Sequence, residues 1–486
     1  MSEPTILEDY LELVTYGFTN PMPDADEGPW KITAKDVIGG EINFNTARKT
    51  TQEAYDTKLT KKSRPKIGDV LLTKDGTLGR LAIVQQEGLC INQSVAVLRP
   101  NQKILPEYLF YLLSTPDYQR QMIGDSDGTV IKHIYITRVG KMEVDIPSIE
   151  VQKARLKHLI SLDGKIKNNR QTNQTLEHIA QALFKCWFVD FEPTRAKIIA
   201  KEKGANTAIQ ELAAQAIISG AITLEQLEAI TQNLETTLQQ AINEKLSQAN
   251  QTPINTEQLK TTAALFPDAL VDSELGEIPE GWSIKSLVDV AIFQNGFAFY
   301  TVGYSEEGYK VVDLANISTE GKFIETKRDK RIGTEIYNLP KHKKHHLQKN
   351  DIVMAMTDMT QTMGILGKCG KIYESNKFIL NQRIGRIRAE KEMNVNFLLT
   401  SLNSKKQIDF LKNRVLGTVQ KYVNTSHIKE MEFIVPPNKL MERFGEIVDP
   451  LFSTIRSNDI ENEKLQETIE VLLPKLLSGE LNVSSD

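Results

Sequence analysis

The side chains that could do chemistry gather in three kinds of place, and each kind occurs twice. Basic clusters come first: Lys58, Lys61, Lys62, Arg64 and Lys66, then Lys327, Arg328, Lys330, Arg331, Lys341, Lys343 and Lys344. Such clusters make a local positive footprint for phosphates whatever the total charge. A first polar loop holds Lys74, Asp75, Thr77 and Arg80, matched later by Thr357, Asp358, Thr360 and Gln361. A second holds Thr129, Lys132 and His133, matched by Thr418, Gln420, Lys421 and Tyr422. Polar side chains presented from loops are what the readout of base edges requires, while basic clusters hold the phosphate backbone. The competing reading is a set of solvated patches and ordinary turns. Recurrence in two copies favours binding.

Several catalytic signatures are missing from the sequence. Gly364 to Gly370-Lys371 has one residue too many for a phosphate-binding loop, and Ile372 stands where a magnesium-holding Ser or Thr would be. HExxH does not occur. Val435-Pro436-Pro437-Asn438 is not the motif of an amino-methyltransferase. His342, His345 and His346 lie among lysines that would repel a metal ion, so no metal site is expected. Asp69 and Asp351 match between copies and read as ordinary turn residues. These absences point to a binding protein.

The elements that must position the loops are themselves duplicated. Asn92-Gln93, Gly128-Thr129-Val130 and Ile146-Pro147 recur as Asn381-Gln382, Gly417-Thr418-Val419 and Val435-Pro436, at a constant offset of 289 (Asn381 less Asn92). Upstream the offset drifts to 282 (Asp351 less Asp69) and 280 (Gly308 less Gly28). Val70-Leu71-Leu72 and Ala82-Ile83-Val84 read as buried strands, with Ile352-Val353-Met354 and Gly364-Ile365-Leu366 as their counterparts. The stretch from Leu105 to Leu113 reads as a helix with proline in its first turn, matched by Val395 to Leu399. Each copy is therefore predicted to be an α/β domain, and the two are predicted to be pseudo-symmetric.

A long helical pattern follows each domain. Leu162, Ile166, Asn169, Asn173, Leu176, Ala180 and Leu183 recur at alternating steps of 4 and 3, as do Leu451, Ile455, Asn458, Asn462, Leu465, Ile469 and Leu472. This is a coiled-coil seam, and an asparagine inside such a seam commonly sets register. The simplest partner of each helix is the other. Two equivalent helices about a twofold axis run antiparallel, with Asn169 facing Asn462 and Asn173 facing Asn458. Each spans roughly 50 Å, long enough to place two domains about one DNA turn of ~34 Å apart.

Composition bounds the rest. The chain has 486 residues, too many for one core. Its net charge of −4 hides an uneven distribution, since residues 201–280 hold twelve acids and four bases. That acidic stretch reads as a helical connector, with a capping box at Thr223 and Gln226; spacing is its expected role. Cys90, Cys186 and Cys369 lie far apart without CxxC spacing, which argues against disulfides and zinc and fits a reducing cytosol. Met1-Ser2-Glu3-Pro4 does not open a signal peptide, and no apolar run approaches the roughly 20 residues of a membrane helix.

Four motifs carry a family resemblance. Phe184-Lys185-Cys186-Trp187-Phe188-Val189-Asp190-Phe191-Glu192-Pro193 resembles the close of the central helix in specificity (S) subunits of Type I restriction-modification systems. Leu265-Phe266-Pro267-Asp268, with Ser273 to Trp282, resembles the start of their second recognition domain. Leu473-Pro474-Lys475-Leu476-Leu477-Ser478-Gly479-Glu480-Leu481 resembles the end of their distal helix. Gly68 to Leu71 with Asp75 to Gly79 is similar to a recurrent piece of their target recognition domains. The Ile-Pro-x-Gly-Trp start has no counterpart in the first copy, which opens Ile6-Leu7-Glu8-Asp9-Tyr10.

The resemblance implies two target recognition domains at 1–147 and 271–436. A central helix would occupy 148–191, the connector 192–270, a distal helix 437–481 and a tail 482–486. It implies a non-catalytic cytoplasmic subunit that reads a split, asymmetric site on double-stranded DNA. The paired helices would set the unread spacer and dock two modification subunits, which other motor-nuclease restriction subunits join. S-adenosylmethionine, ATP and Mg2+ would belong to those partners, with no cofactor in this chain. A self-contained methyltransferase-nuclease is disfavoured by the missing motifs. The remaining alternative is a scaffold without sequence specificity of its own.

Overall fold

A computed structural model of the chain describes residues 5–124, 133–248, 256–326, 329–360, 362–417 and 420–481. The chain divides into two compact units, one of residues 1–171 with 458–486 and one of residues 172–457.

In the first unit, strands Leu11–Tyr16, Val95–Pro100, Val70–Thr73 and Leu81–Ile83 form an antiparallel sheet in that order. Successive side chains of a strand point to opposite faces, and here both faces are covered. Val70, Leu72, Ala96 and Leu98 pack under the helix Pro106–Ser114 through Leu109 and Leu112. Leu71, Val95 and Val97 pack the other way, against Ile32, Leu89 and Ile91. The last three belong to a second sheet, Arg48–Lys49, Ala25–Ile32 and Leu89–Ile91, with one antiparallel and one parallel pairing. Burial on both faces explains why Val70-Leu71-Leu72 is a continuous apolar run.

The second unit repeats this plan. Ala291–Asn295, Ile384–Ala389, Ile352–Ala355 and Cys369–Lys371 follow the same order, and Arg331–Ile332, Tyr309–Val312 and Phe378–Leu380 build the same three-stranded sheet. One expected strand moves. Gly364-Ile365-Leu366 is not a strand; its place is taken by Cys369–Lys371. Leu72 pairs with Leu81, but Met354 pairs with Cys369. The second copy thus has a longer loop between these strands, which is where the offset drifts. Asp358 closes that loop by accepting the Ile365 backbone N–H at 2.9 Å.

Two repeated features have packing causes. A Cβ on Gly17 or Gly296 would lie 1.8 Å from the carbonyl oxygen of Ile91 or Asn381, so the strand passes too close for any side chain. Asp69 and Asp351 are more than turn residues. They are 2% and 1% exposed and grip Arg99 and Arg388 through paired bonds of 2.8 and 2.7 Å, and 2.6 and 2.8 Å. Each also accepts a backbone N–H, from Lys66 or Gln348.

The central helix is Ile149–Phe188 and the distal helix Asn438–Ser478. Within the first unit, Leu162 and Ile166 share a core with Leu465, Ile469, Leu472 and Leu473. Within the second, Ala180, Leu183 and Phe184 share one with Phe444, Val448 and Leu451. In both, an early stretch of one helix meets a late stretch of the other, so the pair is antiparallel. The acidic stretch is folded. Helices Glu192–Glu202, Thr207–Ile218, Leu224–Ala229, Leu234–Gln248 and Thr256–Ala263 join the core around Trp187, Phe188 and Trp282. The Thr223–Gln226 capping box forms, with bonds of 2.9 and 3.3 Å. Among the described residues no helix is long and apolar enough to cross a membrane.

The missing Ile-Pro-x-Gly-Trp start does not deprive the first unit of its opening contact. Ile6 bridges Glu143, and Val144 N–H donates to the Thr5 carbonyl at 3.0 Å. Strand Ser283–Ser286 makes the equivalent pairing with Glu432–Val435.

Candidate nucleic-acid interface

The structure brings the two polar loops of each copy side by side. In the first unit Asp75 bridges His133, and the Ile134 N–H donates to the Lys74 carbonyl at 2.9 Å. In the second, Thr357–Asp358 pairs antiparallel with Lys421–Tyr422. Stretches more than fifty residues apart in sequence thus form one rim on each unit. Thr129, Lys132, Gln361 and Thr418 lie outside the described residues, as do Lys327 and Arg328 of the second basic cluster.

On the first rim, Lys74 is held by Asp75 at 2.7 Å and lies 5.3 Å above the Tyr16 ring. His133 packs edge-on against Tyr135, whose ring also faces Arg138. Tyr16 and Tyr135 are 48% and 49% exposed. They went unnoticed in the sequence because nothing local marks an aromatic as the support of a distant cation. Thr77 is exposed. Arg80 is half-buried and donates to the Val37 carbonyl at 3.2 Å.

On the second rim, Asp358 is buried and accepts the Thr360 N–H and hydroxyl, both at 2.7 Å, besides Ile365. Burial pushes its carboxyl up, but these donors outweigh that and hold it below the ordinary value. The loop carrying Thr357 and Thr360 is therefore braced from within. Lys421 donates to the Gly417 carbonyl at 3.2 Å, Gln420 is half-buried, and Tyr422 is 40% exposed. Gly417 has φ of 85°, and a Cβ there would meet the Gln420 carbonyl at 2.2 Å. That explains one glycine of the repeated Gly-Thr-Val motif.

The basic clusters divide by orientation. Lys61 and Lys62 are exposed on the turn Lys61–Ser63. Arg64 turns inward. Its guanidinium donates to the carbonyls of Tyr55, Asp56 and Leu59, closing the helix Gln52–Lys58, and it covers the Tyr55 ring at 4.5 Å. Arg331 donates to the Gly308 carbonyl, and Lys330 pairs with Asp313 at 3.0 Å. The turn Pro340–His345 is two-sided. Lys341, Lys343 and Lys344 are exposed, while His342 and His345 are buried beneath, packed on Phe297. Burial, with Lys344 nearby, pushes His345 down to about 4. This turn is a lysine comb on a neutral apolar base. Among the described residues no group of three or more His, Cys, Asp or Glu could hold a metal ion.

The helix-pairing residues fall within the two units as follows. Asn169 is 5% exposed and donates to Asn462 Oδ1 at 3.1 Å and to Glu461 at 2.7 Å. Asn173 is 3% exposed and its Nδ2 lies 3.4 Å from the Ile455 carbonyl. Ile166 and Ile455 are buried, and Leu162, Leu176, Leu183, Leu451, Leu465 and Leu472 are half-buried. Asn458 lies on the distal helix, half-buried.

Comparison with known proteins adds an independent line. The family model "Type I restriction modification DNA specificity domain" matches residues 20–178 and 279–471. The chain is 31% identical over 437 residues to the Type I restriction enzyme HindI specificity subunit of Haemophilus influenzae, covering 86% of this chain and 87% of that one. It is 24% identical over 477 residues to the MjaIX specificity subunit of Methanocaldococcus jannaschii, covering 94% and 87%. A solved Type-I restriction-modification S subunit from M. genitalium aligns with a TM-score of 0.48 at 13% identity, over 98% of this chain and 97% of that one.

Proposed function

Because the chain belongs to the family of Type I restriction modification DNA specificity domains, we propose that it gives such a complex its choice of DNA sequence. Each unit reads one short word of a bipartite, asymmetric site through its paired rim loops. The exposed lysines Lys61, Lys62, Lys341, Lys343 and Lys344 hold phosphates, and Thr77, His133, Thr357, Thr360 and Tyr422 face bases. Recognition domains at 1–147 and 271–436 are carried on the two long helices. The helices set the unread length between the words.

The observation that carries this reading is the double match of one domain model, once over each copy. A protein that reads one word needs one such domain. Two copies with a common frame and different rim side chains suit two different words. In this reading the chain performs no chemistry and binds no cofactor. Two modification subunits docked on it bring S-adenosylmethionine, and restriction subunits bring ATP and Mg2+. Family membership favours this over a scaffold lacking sequence preference.

The test is selection of the full chain on a randomised duplex library, with the bound fraction sequenced. The expected product is one motif of two short fixed words around a spacer of fixed length. A flat distribution, with binding set by salt alone, would return the chain to the scaffold reading.

A further inference from the structure

The second unit holds a cleft that neither rim loop accounts for. It measures about 360 Å³ and is lined by Tyr300, Tyr304, Asp313, Lys330, Gln382 and Arg383, among others. Three features distinguish it. Phe299, fully buried among Val311, Ile332, Tyr337 and Ile379, anchors the turn Phe299–Thr301 and leaves Tyr300 63% exposed. Two cations, Lys330 and Arg383, face one carboxylate, Asp313, which Lys330 already engages. Gln382 and Arg383 have no side-chain partner among the described residues. That contrasts with Arg64, Arg80, Arg331, Arg386 and Arg388, whose guanidinium groups all bond within the protein.

The turn is fixed even though its side chains are open. Asn381 N–H donates to the Val312 carbonyl at 3.1 Å, and the Arg383 carbonyl accepts Met356 N–H at 3.0 Å. Met356 directly precedes the rim strand Thr357–Asp358. The turn carrying Arg383 is therefore tied by its backbone to the strand that enters the second rim. The first copy has Asn92-Gln93-Ser94 at the same place. There Ser94 is occupied internally, donating to Asn92 Oδ1 at 2.5 Å and accepting Ala34 N–H at 3.0 Å. The two copies share the turn and differ in whether its third residue is available.

We propose that Arg383 and Gln382 are specificity-determining residues that read adjacent purines in the major groove. This rests on the DNA-reading function proposed above. A guanidinium fork matches guanine O6 and N7, and a glutamine amide matches adenine N6 and N7. Lys330 and the two tyrosines line the approach, with Lys330 5.4 Å from the Tyr304 ring. The first unit has no guanidinium fork at this turn, since Ser94 stands there.

The test uses the full-length chain as wild type, Arg383→Ala, Arg383→Lys and Gln382→Ala, each selected on the same randomised duplex library. Both Arg383 variants should lose guanine preference at one position of one word by about 10- to 100-fold. Gln382→Ala should lose adenine preference at the neighbouring position. The other word, the spacer and the salt dependence should stay as in wild type. Lysine keeps the charge but not the fork, so Arg383→Lys separates a base contact from a phosphate contact. An unchanged motif in Arg383→Ala, or a uniform loss that Arg383→Lys restores, overturns the proposal and leaves the wild-type motif standing. A wild type that selects no motif overturns both this and the function it rests on.

Discussion

Replacing Asp351 by alanine should destabilise the second unit by about 3 kcal/mol, and the size follows from where its partner is left. Asp351 is 1% exposed and holds Arg388 by two bonds. Removing one member of a buried pair costs about 3–5 kcal/mol, because the other charge stays desolvated. An exposed pair is worth about 0.2–1 kcal/mol. The Arg388 side chain is 32% exposed and can turn partly to water, which places the cost at the low end. Arg99 is 17% exposed beside Asp69, so Asp69→Ala should cost more, about 4 kcal/mol, in the first unit. The assay is urea unfolding followed by tryptophan fluorescence. Trp30 lies in the first unit and Trp187 and Trp282 in the second, so a Trp30→Phe background reports the second unit alone. In that background Asp351→Ala is compared with Arg388→Ala and the double variant. Removing both partners abolishes the unpaired charge, so the double variant should be more stable than additivity predicts by about 1.5–3 kcal/mol. A single-variant loss under about 1 kcal/mol, with additive behaviour, would refute the reasoning and reduce the repeated Asp to a turn residue.

Three further outcomes are expected. Acid should weaken the second unit before carboxylates titrate: His345 is held at about 4 when folded against an ordinary 6.5. Between those values the unfolded chain takes up the proton first, so stability falls as pH drops from 6.5 to 4, by up to about 3 kcal/mol. Above 6.5 there is no such contribution, and His345→Phe should flatten the profile measured by urea unfolding at each pH. Replacing Lys341, Lys343 and Lys344 together by alanine should weaken binding to all duplexes alike and flatten the salt slope by up to about 3, at roughly 0.9 per phosphate lost; a change of motif instead would make them base readers. Exchanging residues 1–147 for another recognition domain should change one word of the selected motif, and a change in both would break the modular reading.

Much of the frame was legible because it rests on repetition and period. The two seams, the buried strands at Val70 and Ile352 and the helix at Pro106 each carry a local pattern that states its own structure. The second strand of the second copy was misplaced, at Gly364 rather than Cys369, because an insertion changes loop length without leaving an apolar mark. The acidic stretch read as a connector, since alanine-rich helices look solvent-facing one by one; only their shared packing around Trp187 makes them a core. Orientation was the least legible property. Lys61 and Arg64 belong to one cluster, yet one faces solvent and the other closes a helix. The difference is set by three carbonyls placed by the fold, which residue type alone does not reveal.

That division bears on the two-word reading proposed above. The features common to both units are those whose loss is costly: the buried Asp–Arg grips, the glycines pressed against a neighbouring carbonyl, and the alternating strand faces. Substitutions at an exposed rim usually change stability by less than about 0.5 kcal/mol. At exposed positions such as Thr77 and Tyr422 nothing in the fold opposes divergence. A duplicated domain under these constraints keeps its frame and is free to diverge at its exposed rim. Two equal frames with unequal rims are what an asymmetric bipartite site demands.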